Sequence, residues 1–202
     1  MLKKKKNKMK RSAILTKIRD LNYFSDQEED KIRYAWLSIR NDLFKIIILW
    51  VVAALLGFSV QFTVVLITYC SLRMWIGGIH KKTFIGCLVD TGIWIGMGIG
   101  CSMILLKVSC WTMVCIGIAA MIPILMLGPI QSSKKRPIEQ SIKKKLTTIA
   151  TLIAVFIIIA QLANSIPIEI RSCVLSGLLI ESLQVSLTKI IRKGEDHGRP
   201  VN

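Results

Sequence analysis

The run IIILWVVAALLGFSVQFTVVLITYCSL, residues 46–72, is apolar over 27 positions and carries a single glycine, Gly57, near its middle. A spanning helix needs about 20 apolar residues. The run therefore reads either as one long tilted span or as two short membrane helices that turn near Gly57, Phe58 and Ser59. The choice sets the parity of every later crossing, and so decides the topology of the chain.

Four further apolar runs follow, at 84–106, 108–128, 146–163 and 170–191, each suited to one span. The polar stretches are basic in blocks. The arm before Ile46 is rich in lysine from Lys3 to Arg11, and the loop 129–145 sets Lys134, Lys135, Arg136, Lys143, Lys144 and Lys145 against one acid, Glu139. Basic loops are retained in the cytoplasm. Two cytoplasmic segments are separated by an even number of crossings, and runs 84–106 and 108–128 already supply two. Run 46–72 must then supply none or two, and a hairpin of two short helices meets that condition. The expectation is an all-α polytopic membrane bundle of about six membrane segments, the first two short and hairpin-like, with both termini cytoplasmic. Arg73, Lys81, Lys82 and the tail cations Lys189, Arg192, Lys193 and Arg199 then share the inner side, while the outer connection 164–169 carries only the charge of Glu169.

The composition agrees with this reading. The chain is 52% hydrophobic with a formal net charge of +16, and its mean hydropathy is +0.54. Charge of that sign can serve nucleic acid, but no basic stripe with interleaved aromatics occurs, so no nucleic-acid partner is expected. Blocks of lysine between apolar runs suit an anionic inner leaflet. The six cysteines, Cys70, Cys87, Cys101, Cys110, Cys115 and Cys173, form no CxxC pair and sit mostly in apolar runs. There a thiol acts as a small hydrophobe, and neither a disulfide framework, a metal centre nor a cofactor is expected. A nucleotide-driven pump is disfavoured because no phosphate-binding loop of the Walker type occurs. No cleavable signal peptide is expected, because the basic start is not followed by a short apolar region and a small-residue cleavage site.

Three regions result. Residues 1–43 form a basic arm. Within it Ser25 and Glu28 have the spacing of a capping box, and Ile32, Ala35, Trp36, Ile39 and Leu43 recur at helical spacing with Lys31, Arg33 and Arg40 between them. This predicts an amphipathic helix, lying on the inner membrane surface or packed on the rest of the protein. Residues 44–191 form the membrane domain, including the segment 73–87 and the basic loop 129–145. Residues 192–202 are a cytoplasmic tail.

The segment from Arg73 to Cys87, RMWIGGIHKKTFIGC, joins two membrane runs and holds one of only two histidines, His80; the other, His197, lies in the polar tail. Cysteine with histidine is the minimum for a thiolate nucleophile and its proton-transfer partner. Seven residues of continuous helix would put the two about 10.5 Å apart along the axis, too far for a hydrogen bond. The chain must bend, and it can: Gly77 and Gly78 break a helix, 81–83 suits a loop, and Thr83 can cap the next helix with Cys87 in its first turns. A helix start and the cations Lys81 and Lys82 would lower the thiol pKa. Packing at a membrane boundary is the competing account of the same two residues.

The motif Arg73, Gly77-Gly78-Ile79-His80 and, seven residues on, Cys87 resembles the core motif of the accessory gene regulator B (AgrB) family, membrane peptidases of Gram-positive bacteria that process a quorum-sensing propeptide. Length near 200, the basic arm, several membrane segments and a basic loop containing Arg136-Pro137-Ile138 extend the resemblance over most of the chain as pattern. The resemblance implies His80 as general base, Cys87 as nucleophile, and Arg73 and Gly78 as supporting positions. It implies a propeptide with an amphipathic leader and an acidic C-terminal tail. Cleavage before that tail would leave a thioester on the enzyme, which an internal Cys or Ser captures to close a thiolactone or lactone. An acidic tail would also account for Lys81, Lys82, Lys134, Lys135 and Arg136 as substrate-binding cations, beside their topological role. The expected location is the cell membrane, with the site on the cytoplasmic side. A non-enzymatic peptide exporter or scaffold is the alternative.

The family pattern names no third residue. Asp90, three residues after Cys87, is the one acid in its apolar run and reads as orienting His80 or as a protonated structural group. Glu181 reads as pairing with another buried polar group. Gly92, Gly96 and Gly100 form a small-residue strip on one helix, expected to pack within the monomer, with homodimerisation as the alternative. Pro123 is expected to kink its helix.

Overall fold

The computed structural model describes residues 26–77, 83–129, 140–163 and 165–197. Among them are six helices and no strand: α1 Asp26–Leu55, α2 Ser59–Ile76, α3 Phe84–Leu105, α4 Cys110–Leu127, α5 Gln140–Ala160 and α6 Ile168–His197. Four are long and apolar enough to cross a membrane, over Ser59–Ile76, Phe84–Leu105, Cys110–Leu127 and Ile168–Ile190. The other two fall short for visible reasons. The apolar part of α1 is confined to its end, after Arg40, Asp42 and Lys45, and the apolar part of α5 follows Lys143, Lys144 and Lys145 and ends at Ala160. Neither reaches about 20 apolar residues.

The chain divides into two compact units, 1–48 and 49–202. In the first, Asp42 and Lys45 pair at 2.7 Å one turn apart. Trp36, Ile39, Leu43 and Ile47 are exposed apolar side chains at helical spacing. Ser25 of the expected capping box lies outside the described residues.

In the second unit the break in run 46–72 falls where the sequence placed it. The Gly57 amide bonds the Ala54 carbonyl at 3.0 Å and the Phe58 amide bonds Ala53 at 2.8 Å. This double bond pattern is a Schellman ending, which requires a left-handed residue. Gly57 supplies it at φ 80°, a value that would strain any residue with a Cβ. Ala53, Phe62, Val65, Ile95 and Cys173 close into one apolar cluster around the hairpin. The helix of the arm and the first apolar stretch are a single 30-residue helix. The expected separate short segment is thus its last three turns or so, because no glycine or proline interrupts α1.

The last helix, α6, is the most buried of the four spans and lies against α2, α3 and α4. Lipid tails are as apolar as leucine, so association of such helices rests on close packing rather than on a hydrophobic drive. Small residues make that possible. A Cβ on Gly177 of α6 would stand 2.8 Å from the Thr68 Cβ of α2, and one on Gly117 of α4 would stand 2.9 Å from Ile158 of α5. Leu72, Leu105, Met113, Ala150, Ala154, Leu175, Leu178 and Val185 fill the main core from five helices.

Contacts also fix direction. The Cys110 thiol at the start of α4 and the Arg171 guanidinium at the start of α6 both bond the Gln161 carbonyl just after α5, at 3.0 and 2.7 Å. At the opposite end, Gly128 after α4 faces Lys143 early in α5, and Lys189 late in α6 reaches the Leu127 carbonyl at 3.5 Å. Helices α4 and α6 are therefore parallel and α5 runs against them. Arg73, at the end of α2, meets Gln184, late in α6. The end of α2, the start of α3, the end of α4 and the start of α5 share one end of the bundle.

Candidate active site

The site is built between two helix ends. Helix α2 runs through Arg73 to Ile76, so Arg73 belongs to the last turn of a helix rather than to the connecting segment. The helix closes at Gly77, whose amide bonds the Arg73 carbonyl at 2.8 Å. Gly77 holds φ 79°, which only glycine adopts without strain. The chain resumes at Thr83, in extended conformation, whose Oγ1 accepts from the Gly86 amide at 3.2 Å. The Cys87 amide bonds the Thr83 carbonyl at 3.1 Å. The first turn of α3 thus ends on Cys87, which is partly buried. Asp90 follows one turn later on the same side of α3 and is also partly buried.

His80, Gly78, Lys81 and Lys82 lie outside the described residues, as do Lys134, Lys135 and Arg136 of the basic loop. Of the sequence-predicted site residues, the structure therefore places Arg73, Cys87 and Asp90. At the same end of the bundle, an open cleft of about 370 Å³ lies between the end of α4 and the start of α5 and is lined by Lys143, Lys144, Thr147 and Thr148. Both lysines are exposed.

Arg73 has partners that sequence reading missed. Its Nη1 donates to the Tyr69 hydroxyl and, at 2.6 Å, to the Gln184 Oε1 of α6. The Tyr69 hydroxyl donates to the same Oε1 at 2.6 Å. The guanidinium also lies 5.2 Å from the Tyr69 ring centroid. Glu181, one turn before Gln184, is 1% exposed, and its Oε2 has no hydrogen-bond partner among the described residues. The available signal was the spacing of Glu181 and Gln184, two polar groups one turn apart in an apolar run.

The glycine strip of α3 is corrected in part. Gly92 faces Leu49, with 3.2 Å left for a Cβ, but Gly96 and Gly100 have nothing within 4 Å. The tight approach is made by Gly98, on another side of the helix. Pro123 lies inside α4.

The bundle and its capped cysteine define a multi-pass helical membrane protein with a thiol at a helix start. Comparison places it further. The family model of Accessory gene regulator B matches residues 6–185, and the chain belongs to the AgrB family. It is 25% identical over 155 residues to a Clostridium beijerinckii protein described as AgrB-like, an alignment covering 77% of this chain and 75% of that protein. No solved structure matches. Membership ties the chain to quorum-sensing peptide processing in accessory gene regulator systems.

Proposed function

We propose that the protein is a membrane cysteine endopeptidase that removes the C-terminal tail of a quorum-sensing propeptide and promotes its cyclisation. The observation that carries this reading is the capped start of α3, which puts Cys87 at the end of the first helical turn, in a chain of the AgrB family. A thiol of ordinary pKa is only a few per cent ionised at neutral pH. His80 is the nearby residue in the sequence that titrates in the useful range and is the base.

In the first step the Cys87 sulfur attacks the carbonyl carbon of the scissile peptide bond. The C–N bond breaks, the tail leaves as an amine with a proton from His80, and the N-terminal part stays as a thioester. In the second, an internal thiol or hydroxyl of that part attacks the thioester carbonyl. The C–S bond to Cys87 breaks, the ring closes, and His80 takes the attacking group's proton. A thioester suits the exchange because transfer of an acyl group between thiols changes the free energy little.

The substrate is a short propeptide with an amphipathic leader and an acidic tail. Lys81, Lys82, Lys134, Lys135 and Arg136 attract the tail, and Asp90 supports the site. The exposed apolar side chains of the arm, Trp36, Ile39 and Leu43, favour its lying on the bilayer surface. The reacting end of the bundle faces the cytoplasm, a reading supported by its lysines at 143–145 and 189.

The test is incubation of the membrane-embedded protein with a propeptide from the neighbouring open reading frame, followed by mass spectrometry. A hydroxylamine-sensitive adduct on Cys87 is expected, absent in Cys87→Ala and nearly absent in His80→Ala. An adduct on another cysteine, or full cleavage by Cys87→Ala, ends the reading in favour of an exporter or scaffold.

A further inference from the structure

Arg73 is held at both of its ends. Its backbone carbonyl takes the Gly77 amide that closes α2, and its guanidinium is tied to α6 through Gln184. Gln184 is 7% exposed, and its Oε1 accepts two donors, Arg73 and Tyr69, which fills both lone pairs of an amide oxygen. Tyr69 completes a triangle by accepting from Arg73 and donating to Gln184. Such a bond pattern tolerates little rotation of either helix, because one displacement breaks several bonds together.

Glu181 lies on the same face of α6, one turn before Gln184. A buried carboxylate within a membrane is costly and marks function by default.

The reactive segment is the short connection between Gly77, where α2 ends, and Thr83, where α3 begins. Both helices rest on α6. Thr68 of α2 touches Gly177, and Gly98 of α3 lies against Ile180. The gap that the segment must bridge is therefore set in part by α6, and the Arg73–Gln184 bond ties the last turn of α2, beside that gap, to α6.

We propose that Gln184, with Glu181 one turn away, is a positioning residue that fixes the last turn of α2 against α6 through Arg73 and thereby sets the reactivity of Cys87. The proposal rests on Cys87 and His80 being the reacting pair. Gln184 itself touches no substrate. It fixes the exit of α2 relative to α6, on which α3 and its Cys87 also rest.

The test uses the full chain in lipid vesicles with iodoacetamide as the probe, and Cys87 alkylation is followed by peptide mass spectrometry between pH 6 and 9. Gln184→Leu keeps the bulk and removes the acceptor. Its Cys87 is expected to react about tenfold or more slowly at neutral pH, with the rise in rate moved to higher pH. Gln184→Glu still accepts from Arg73 and Tyr69, and is expected to stay within about threefold of the parent. The far-ultraviolet circular dichroism and melting temperature of each variant are the reference for folding and are expected not to change. If Gln184→Leu does not accumulate, Tyr69→Phe, which deletes the hydroxyl alone, is read instead and is expected to slow Cys87. Parent-like Cys87 kinetics in the variant read, or equal slowing in Gln184→Leu and Gln184→Glu, overturns the proposal. Because the probe needs no propeptide, a parent protein that fails to cleave propeptide ends the peptidase reading separately.

Discussion

Gly98 of α3 faces Val65 of α2 so closely that a Cβ there would stand 2.7 Å from the Val65 Cγ1, with Ile180 of α6 at 3.5 Å behind it. Three helices meet at this glycine, and β-branched Val65 cannot swing away. Gly98→Ala is expected to destabilise the bundle by about 1–3 kcal/mol, as overpacking does, with Val65→Ala restoring part of the loss. Gly96→Ala, two residues away with open space around it, is expected to stay within about 0.5 kcal/mol of the parent. Thermal unfolding of the purified variants in one detergent distinguishes the two positions. Equal effects would show that Gly98 does not carry the close approach.

Thr83 sets the start of α3. Thr83→Ala removes the acceptor of the Gly86 amide and is expected to cost about 1 kcal/mol of local helix stability. The consequence to measure is at Cys87, because fraying of the first turn frees the backbone that positions its thiol. Iodoacetamide alkylation of Cys87 should slow in Thr83→Ala and recover in Thr83→Ser. Unchanged alkylation in Thr83→Ala would separate the thiol's reactivity from the cap.

The inward orientation of 73–87 predicts the accessibility of Lys82→Cys. A membrane-impermeant maleimide should modify the introduced thiol in inverted vesicles and leave it untouched in intact cells. Labelling at position 82 from outside intact cells would invert the topology and remove the cytoplasmic site.

Charge in the loop supplies a further test. Converting Lys134, Lys135 and Arg136 together to Glu reverses the field that an acidic tail would meet, and processing is expected to fall, more at low ionic strength than at high. The Lys82→Cys labelling pattern serves as the check that topology is kept. Parent-like processing with kept topology would assign the three cations to orientation in the membrane alone.

The features legible in the sequence are the local ones. The lengths of the apolar runs, the turn at Gly57, the helix end at Gly77 and the cap at Thr83 each depend on a few adjacent residues, and the amino-acid sequence by itself determined them. It also determined the membrane class, through runs too apolar for a soluble domain of this length. Tertiary structure alone decided two things. It joined Arg73 and Tyr69 to Gln184 more than a hundred residues later, and it chose Gly98 over Gly96 and Gly100 for the tight contact. The physical reason is common to both. A helix apolar on every side carries no stripe that records its rotation, so which face turns inward is set by small residues and buried polar groups on partner helices. Those partners are distant in the chain and adjacent only once the bundle has formed.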